Sequence, residues 1–338
     1  MKAITIVKHG AAEKAFEIRE TAKPKPKPNE VLIKVDAFGL NYADVWARMG
    51  LYQDAPPLPA VVGYEVVGRI EETGSETNGL SIGQRVVAMT RFGGYAEYAV
   101  TDSRALAVIG DAAEAGEATA LATQYCTAYY AAYEMVNLFE GDHVLIQAAA
   151  GGVGTALVQI AKNKGCIIYG TAGSDKKLEY LQRMGVDYPI NYRKTDFKAE
   201  IEKISGKHCI DVVFDSLGGT TFKKGKQLLA HGGRIIGYGA AERDKGGIIS
   251  GLKLLFGFGF FNPAFLLMNS KSIIGINMLR IADFKPETLK RCMEAVVKLY
   301  DEGIFKPHVG GRFKAEEIAD AHNFLQSRKS VGKVVVEW

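Results

Sequence analysis

Val144-Leu-Ile-Gln-Ala-Ala-Ala-Gly-Gly-Val-Gly154 decides the fold. It reads as a short apolar strand, a tight turn, and a helix opening that continues through Leu157, Ile160 and Ala161. Set against the dinucleotide fingerprint it runs Ala149-x-Gly151-x-x-Gly154, with alanine in place of the first glycine. Gly151 lets the backbone approach a pyrophosphate, and Gly154 lets the helix pack close against the strand. The helix N-terminus adds free N–H groups and a partial positive charge.

The pattern around the loop repeats strand and helix. Strands are expected at Val144–Ala148, Ile167–Thr171, Tyr188–Asn191, Asp211–Asp215, Arg234–Tyr238 and Ser272–Asn277. Helices fall between most of them, at Val153–Lys164, Lys176–Met184, Phe197–Ile204 and Phe222–Ala230, after an apolar helix Ala118–Met135. That alternation describes a doubly wound parallel sheet. The first ~120 residues differ: they are short strands between turns, at Ala3–Lys8, Val31–Phe38, Val61–Glu71, Arg85–Met89 and Tyr95–Val100. They predict a largely antiparallel β domain. Two amphipathic helices, Pro286–Glu302 and Ala315–Arg328, and a strand Gly332–Glu337 close the chain. This tail is expected to return to the first domain.

The second strand of the sheet ends Tyr169-Gly-Thr-Ala-Gly-Ser174. An NAD site would carry Asp or Glu there for the ribose 2′-OH. Gly173 instead leaves room for a 2′-phosphate, which Ser174 and Lys177 are suited to bind. Asp175 is the dissenting charge, and capping the helix expected from Lys176 is a sufficient role for it.

Bulk properties narrow the function. The chain has 338 residues, 24% of them charged and 47% hydrophobic, with a net charge of +4 spread along its length. Nothing in that balance, and no basic-aromatic stripe, points to nucleic acid. Cys126, Cys166, Cys209 and Cys292 are isolated, without metal-ligand spacing, and read as buried reduced thiols. A strand from the first residues, without signal-peptide architecture, makes a reducing cytoplasm the expectation. The apolar passage Ile248–Met268 is interrupted by Lys253, Asn262 and Pro263 and reads as a lid or interface rather than a membrane span. None of the six histidines is nominated as a catalyst, and Lys223, Lys224 and Lys226 read as a wetted helix face.

The loop Ala148–Gly154 and the segment Gly39-Leu-Asn-Tyr-Ala-Asp-Val-Trp-Ala-Arg-Met-Gly-Leu-Tyr52 together resemble the quinone oxidoreductase branch of the medium-chain dehydrogenase/reductase superfamily. Gly63-Tyr-Glu65, Gly83-Gln-Arg-Val86, Asn191-Tyr192, Asp215-Ser-Leu-Gly-Gly219 and Gly332-Lys-Val334 follow in the family order. Asn41-Tyr-Ala-Asp44, Lys306-Pro-His308 and the apolar insertion near residue 255 are most similar to the subgroup containing the vesicle amine transport protein. The resemblance implies an α/β protein with a GroES-like β-barrel catalytic domain and a Rossmann domain. The GroES-like domain would take residues 1–122 and 279–338, and the NADP-binding Rossmann domain residues 123–278. It also implies a homodimer through the edge strand at Ser272–Ile276.

Zinc alcohol dehydrogenases of the superfamily carry Cys where this chain has Asn41 and His where it has Tyr64. They also have a four-cysteine lobe where this chain has only the turn Thr90–Gly94. An amide and a phenol are no substitute ligand set, so no metal is expected. Without a Lewis acid, hydride addition from NADPH to a quinone or activated enone is the accessible chemistry, because the arriving charge delocalises onto oxygen. Family matching puts Asn41 and Thr127 beside the nicotinamide, with Trp46 and Tyr52 walling the acceptor pocket. Asp44 either orients Asn41 or relays a proton, or else caps its helix. Ala150, Gly151, Gly152 and Val153 would take the pyrophosphate. Gly173, Ser174, Lys177 and Tyr192 would take the 2′-phosphate, and Tyr238 and Gly239 the nicotinamide ribose. Lys333 is either a cofactor contact or a solvated lysine. The alternative function is non-catalytic: an NADPH-bearing fold that associates with lipid or membrane through Gly251–Phe265.

Overall fold

The computed structural model describes residues 1–240, 257–259 and 261–338. They form two compact units, Met1–Cys126 with Met278–Trp338, and Thr127–Asn277. Residues 248–256 and 260 of the apolar passage Ile248–Met268 therefore lie outside the described residues.

The first unit opens with β1 (Lys2–Ile6), α1 (Ala12–Ala15) and β2 (Phe16–Glu20), with the two strands antiparallel. Next come β3 (Glu30–Leu40), α2 (Tyr42–Arg48), β4 (Glu65–Thr73), β5 (Arg85–Met89), β6 (Tyr98–Asp102), β7 (Leu106–Val108) and α3 (Ala115–Ala120). β3 is the spine and pairs antiparallel with both β4 and β6. The strand expected at Val61 starts only at Glu65, because Gly63 turns the chain at φ +106°. The strand expected at Tyr95 starts at Tyr98.

A π-helical turn (Leu121–Tyr125), α4 (Cys126–Tyr129) and a second π turn (Tyr130–Met135) replace the single helix expected over Ala118–Met135. The second unit then builds β8 (His143–Ile146), α5 (Gly152–Asn163), β9 (Ile167–Ala172), α6 (Asp175–Arg183), β10 (Tyr188–Asn191) and α7 (Phe197–Ser205). It continues with β11 (Ile210–Asp215), α8 (Gly219–Leu228), β12 (Leu229–Gly237), α9 (Pro263–Met268) and β13 (Ser272–Gly275). The six strands form one parallel sheet in the order β10-β9-β8-β11-β12-β13. That is the doubly wound order with its switch point beside β8, where the glycine loop emerges. Leu145, Val213 and Ile235 of the sheet pack with Phe197, Ile201 and Phe222 of its helices. Each such burial stabilises the unit by about 1.5–3 kcal/mol.

The chain then returns through α10 (Met278–Phe284), α11 (Pro286–Asp301), β14 (Val309–Lys314), α12 (Ile318–Gln326) and β15 (Lys333–Glu337). β15 runs antiparallel to β3, with Val334 opposite Leu40 and Val335 opposite Gly39. β14 lies parallel to β15 at the sheet edge. Ile33, Phe38, Val66, Val86, Tyr95 and Val334 share the core of this unit.

Candidate functional site

In the first unit the site is built where β3 hands over to α2. Asn41 is the N-cap residue of α2, and its backbone N–H donates to the Asp44 carboxylate at 2.7 Å. Asp44 thus caps, as one sequence alternative held, but it is also completely buried. Burial, with Glu65 nearby, pushes its carboxyl up to about 7, against the lowering effect of the Asn41 N–H. Oδ1 of Asp44 has no hydrogen-bond partner among the described residues.

The Asn41 side chain is held at both ends. Its amide N–H donates to Glu65 Oε1 at 2.8 Å, and its oxygen accepts from Lys333 Nζ at 3.2 Å. Lys333 also pairs with Glu65 and donates to the Leu40 carbonyl. Glu65 Oε2 accepts from the Thr123 N–H at 2.9 Å. Lys333 and Glu65 are each 0% exposed, so the solvated-lysine alternative for Lys333 is overturned. Burial holds the Lys333 ammonium below its usual range while Glu65 opposes that effect. The route for this lysine is Gly39. A Cβ there would lie 2.2 Å from Lys333 Cε and 2.4 Å from Glu65 Oε1.

Aromatic side chains flank this cluster. Tyr52 meets Tyr64 edge-on at 6.0 Å, and Tyr64 meets Phe92 at 5.3 Å. Phe92 sits at φ +127°, a conformation side chains rarely adopt. Burial raises the phenols of Tyr52 and Tyr64, so both stay protonated. Trp46 packs edge-on to Tyr42 at 5.9 Å and keeps a buried indole N–H without a partner among the described residues. Sequence reasoning flagged Asn41, Asp44, Trp46 and Tyr52 but missed Glu65 and Phe92 as parts of the site. The available signals were Gly39 and the family match at Gly63-Tyr-Glu65. Asn41 and Tyr64, the positions of two zinc ligands in zinc dehydrogenases, do not fit a metal: the amide oxygen is taken by Lys333 and one amide hydrogen by Glu65, and the phenol is protonated. Among the described residues no group of three or more His, Cys, Asp or Glu side chains is arranged to hold an ion.

In the second unit the loop after β8 carries its strain on Ala148, at φ +51°, and not on a glycine. α5 starts at Gly152, one residue earlier than expected, so Gly152 and Val153 open the helix and Gly151 is its N-cap. The cap has no side chain to satisfy the first-turn N–H groups, which leaves them for an anion. A Cβ at Gly154 would meet the Ala148 carbonyl at 2.4 Å, so the close helix-on-strand approach is real. The loop thus has the backbone cradle that a dinucleotide diphosphate requires.

At the end of β9, a Cβ on Gly173 would lie 2.6 Å from the Tyr192 hydroxyl and 3.3 Å from Arg193 Nε. Tyr192 thus lies beside Gly173, Ser174 and Lys177 follow at the start of α6, and exposed Arg193 is a cation that sequence reasoning missed. Ser174, not Asp175, is the N-cap of α6. Asp175 instead accepts from Asn191 at 3.0 Å and from Lys194 at 2.7 Å, so the capping role expected for it is incorrect and its charge is neutralised laterally. Tyr238 follows β12, its phenol held protonated by burial and the Asp215 carboxylate. A Cβ at Gly239 would lie 2.5 Å from the Ser216 carbonyl. Thr127 is a buried residue of α4.

Other expectations are partly revised. Cys126, Cys166 and Cys292 are buried free thiols, but Cys209 is only half-buried. Lys224 pairs with Asp196 and Lys226 lies 4.8 Å from the Phe261 ring centre, which leaves Lys223 as the wetted member of that face. An apolar cavity of about 440 Å³ opens beside β13, lined by Phe222, Phe258, Phe261, Ile273, Ile274 and Ile276. Next to it α9 buries none of its residues, and Phe265, Leu267 and Met268 are exposed. No helix among the described residues is long and apolar enough to cross a membrane.

Comparison with known proteins agrees with this architecture. Residues 27–111 match the alcohol dehydrogenase GroES-like domain and residues 152–294 the zinc-binding dehydrogenase family. The human synaptic vesicle membrane protein VAT-1 homolog is 33% identical over 99% of this chain and 86% of its own length. Bovine quinone oxidoreductase-like protein 2 is 32% identical over 94% of this chain and 88% of its own. The crystal structure of Escherichia coli quinone oxidoreductase complexed with NADPH superposes with a TM-score of 0.87 at 26% identity, covering both chains completely.

Proposed function

Because this chain belongs to the medium-chain dehydrogenase/reductase family, alongside VAT-1 and quinone oxidoreductase-like proteins, we propose that it is a zinc-free NADPH-dependent reductase of quinones or activated enones. The observation that carries the reading is the pairing of an uncapped, glycine-cradled helix opening at Gly152 with a buried polar cluster that presents the Asn41 amide where zinc relatives hold their metal. Bound NADPH would supply the hydride.

The residues have separate tasks. Ala150, Gly151, Gly152 and Val153 hold the diphosphate through backbone N–H groups. Gly173 and Ser174 leave a pocket for the 2′-phosphate, where Lys177, Tyr192 and Arg193 neutralise and bind it. Thr127, Tyr238 and Gly239 position the nicotinamide half. Asn41 turns its remaining amide hydrogen to the acceptor oxygen as charge develops there, and Trp46 and Tyr52 exclude water and stack on the acceptor. Lys333 serves the site by holding Asn41, in place of the direct cofactor contact that family matching suggested. Residues 1–122 with 279–338 are the catalytic domain in this reading, and residues 123–278 the NADP-binding domain. A cytoplasmic location goes with it.

The open edge of β13 and the bare face of α9 support a homodimer through Ser272–Ile276. The same exposed Phe265, Leu267 and Met268 favour one second reading, an NADPH-binding protein that associates with lipid surfaces. One experiment separates the two readings: NADPH oxidation with a panel of quinones and enones, run beside co-sedimentation with liposomes. Turnover with an activated acceptor is expected. No turnover with any acceptor, together with tight liposome binding, overturns the enzyme reading.

A further inference from the structure

Asp44, Glu65 and Lys333 are three ionisable side chains with no solvent exposure, gathered around Asn41: Asp44 on its backbone N–H, the other two on its side-chain amide. Two acids face one ammonium. With all three ionised the cluster would carry an uncompensated buried negative charge, an arrangement proteins avoid. The hydrogen bonds identify where a neutralising proton sits. Both oxygens of Glu65 are occupied by donors, from Asn41, Lys333 and Thr123. Oδ2 of Asp44 is occupied by the Asn41 N–H, but Oδ1 is buried without a hydrogen-bond partner among the described residues; the nearby Tyr95 phenol favours the charged form, and burial outweighs it.

We propose that the cluster holds a single exchangeable proton on Asp44, and that loss of this proton slows hydride arrival by placing a net negative charge behind Asn41. The inference rests on the reductase reading for its kinetic half only. With Asp44 neutral, the Glu65–Lys333 pair is balanced and the Asn41 amide faces the developing oxyanion as an unopposed donor. With Asp44 ionised, the extra charge sits one helical turn from Asn41 in a medium that screens poorly, and it opposes the oxyanion. Asp44 is therefore a positioning residue that acts through Asn41.

The groups facing Asp44 from other elements support this assignment. Tyr95 and Tyr64 are buried phenols whose ionisation burial suppresses, and Tyr52 is shifted the same way. His322, bonded to Tyr95, is kept neutral by burial and by Arg48. Arg48, one turn further along α2, gives its guanidinium to Gln326. Burial places the Asp44 transition near neutrality.

The test pairs two measurements on the full chain. Infrared difference spectra across pH 5.5 to 8.5 should show one protonated-carboxyl band that fades as pH rises through neutrality. The band should be absent in Asp44→Asn. In Glu65→Gln it should fade at lower pH, because Lys333 is then free to pair with Asp44. Stopped-flow reduction of 1,4-benzoquinone by NADPH should slow by roughly tenfold across the same range in the wild type. Asp44→Asn should flatten that limb, and Asp44→Glu should restore a limb. A band that survives Asp44→Asn, or no band at any pH, overturns the proposal. So does a flat pH profile in an enzyme that turns over. If no acceptor is consumed, the reductase reading fails, and the infrared titration alone decides where the proton lies.

Discussion

The two units carry their chemistry in opposite materials. In Thr127–Asn277 the working surface is backbone: uncapped N–H groups at Gly152 and Val153, and missing side chains at Gly154 and Gly173. In the other unit it is side chains, and the partners of Asn41 come from β4 and from β15. A backbone site is specified locally, because one turn of chain contains it. A side-chain site drawn from distant strands exists only when the whole sheet is assembled, and every member leans on the others.

That contrast can be broken most forcefully at Lys333. Lys333→Met strands Glu65 as an unpaired buried carboxylate and should cost about 3–5 kcal/mol in urea unfolding. Lys333→Met with Glu65→Gln should recover much of the loss. Equal instability of the single and double variants would show that packing, not charge, holds the cluster.

Asp44 sharpens the contrast through pH. Its carboxyl is raised in the folded state, from an ordinary 3.8 to about 7, so folding favours the protonated form. Its contribution is fully present below pH 4 and is lost as pH rises through 7, a change of about 4 kcal/mol. Asp44→Asn should therefore gain stability relative to the wild type between pH 4 and 7, then hold a constant difference above it. Unfolding curves at a series of pH values check this, and a pH-independent difference refutes the shift.

The backbone site should respond more gently, since no one side chain carries it. Lys177→Ala should weaken NADPH by about tenfold while leaving NADH nearly unchanged, read by fluorescence titration. Equal losses for both cofactors would remove Lys177 from the 2′-phosphate corner. Arg193→Ala should act in the same direction with a smaller effect, because its side chain is exposed.

The same division governs what was legible before the structure. The parallel strands were placed to within a residue or two at most ends, because each is an apolar run bounded by turns; β12 starts five residues early, at Leu229. In the first unit β2 was missed. Its sequence Phe-Glu-Ile-Arg-Glu offers only Phe16 and Ile18 to one face, and the strand is half-buried at best. β14 was missed because two glycines interrupt it. Asn41 and Asp44 were found through family likeness. Their link to Glu65 and Lys333 was not, since nothing local signals a contact across nearly three hundred positions. Only Gly39, with no room for a methyl group, marked the crossing.

The pairing of β15 with β3 also sets a schedule for synthesis. β6 covers Glu30–Lys34 of the β3 edge opposite β4, but the partner of its Ala37–Leu40 end is translated nearly three hundred residues later. At typical elongation rates that is a wait of roughly 15 to 60 s. The contiguous Thr127–Asn277 segment is free to fold during the delay, while the Ala37–Leu40 end of β3 stays open to stray strands. Chaperone demand for this protein should therefore centre on the Ala37–Leu40 end of β3.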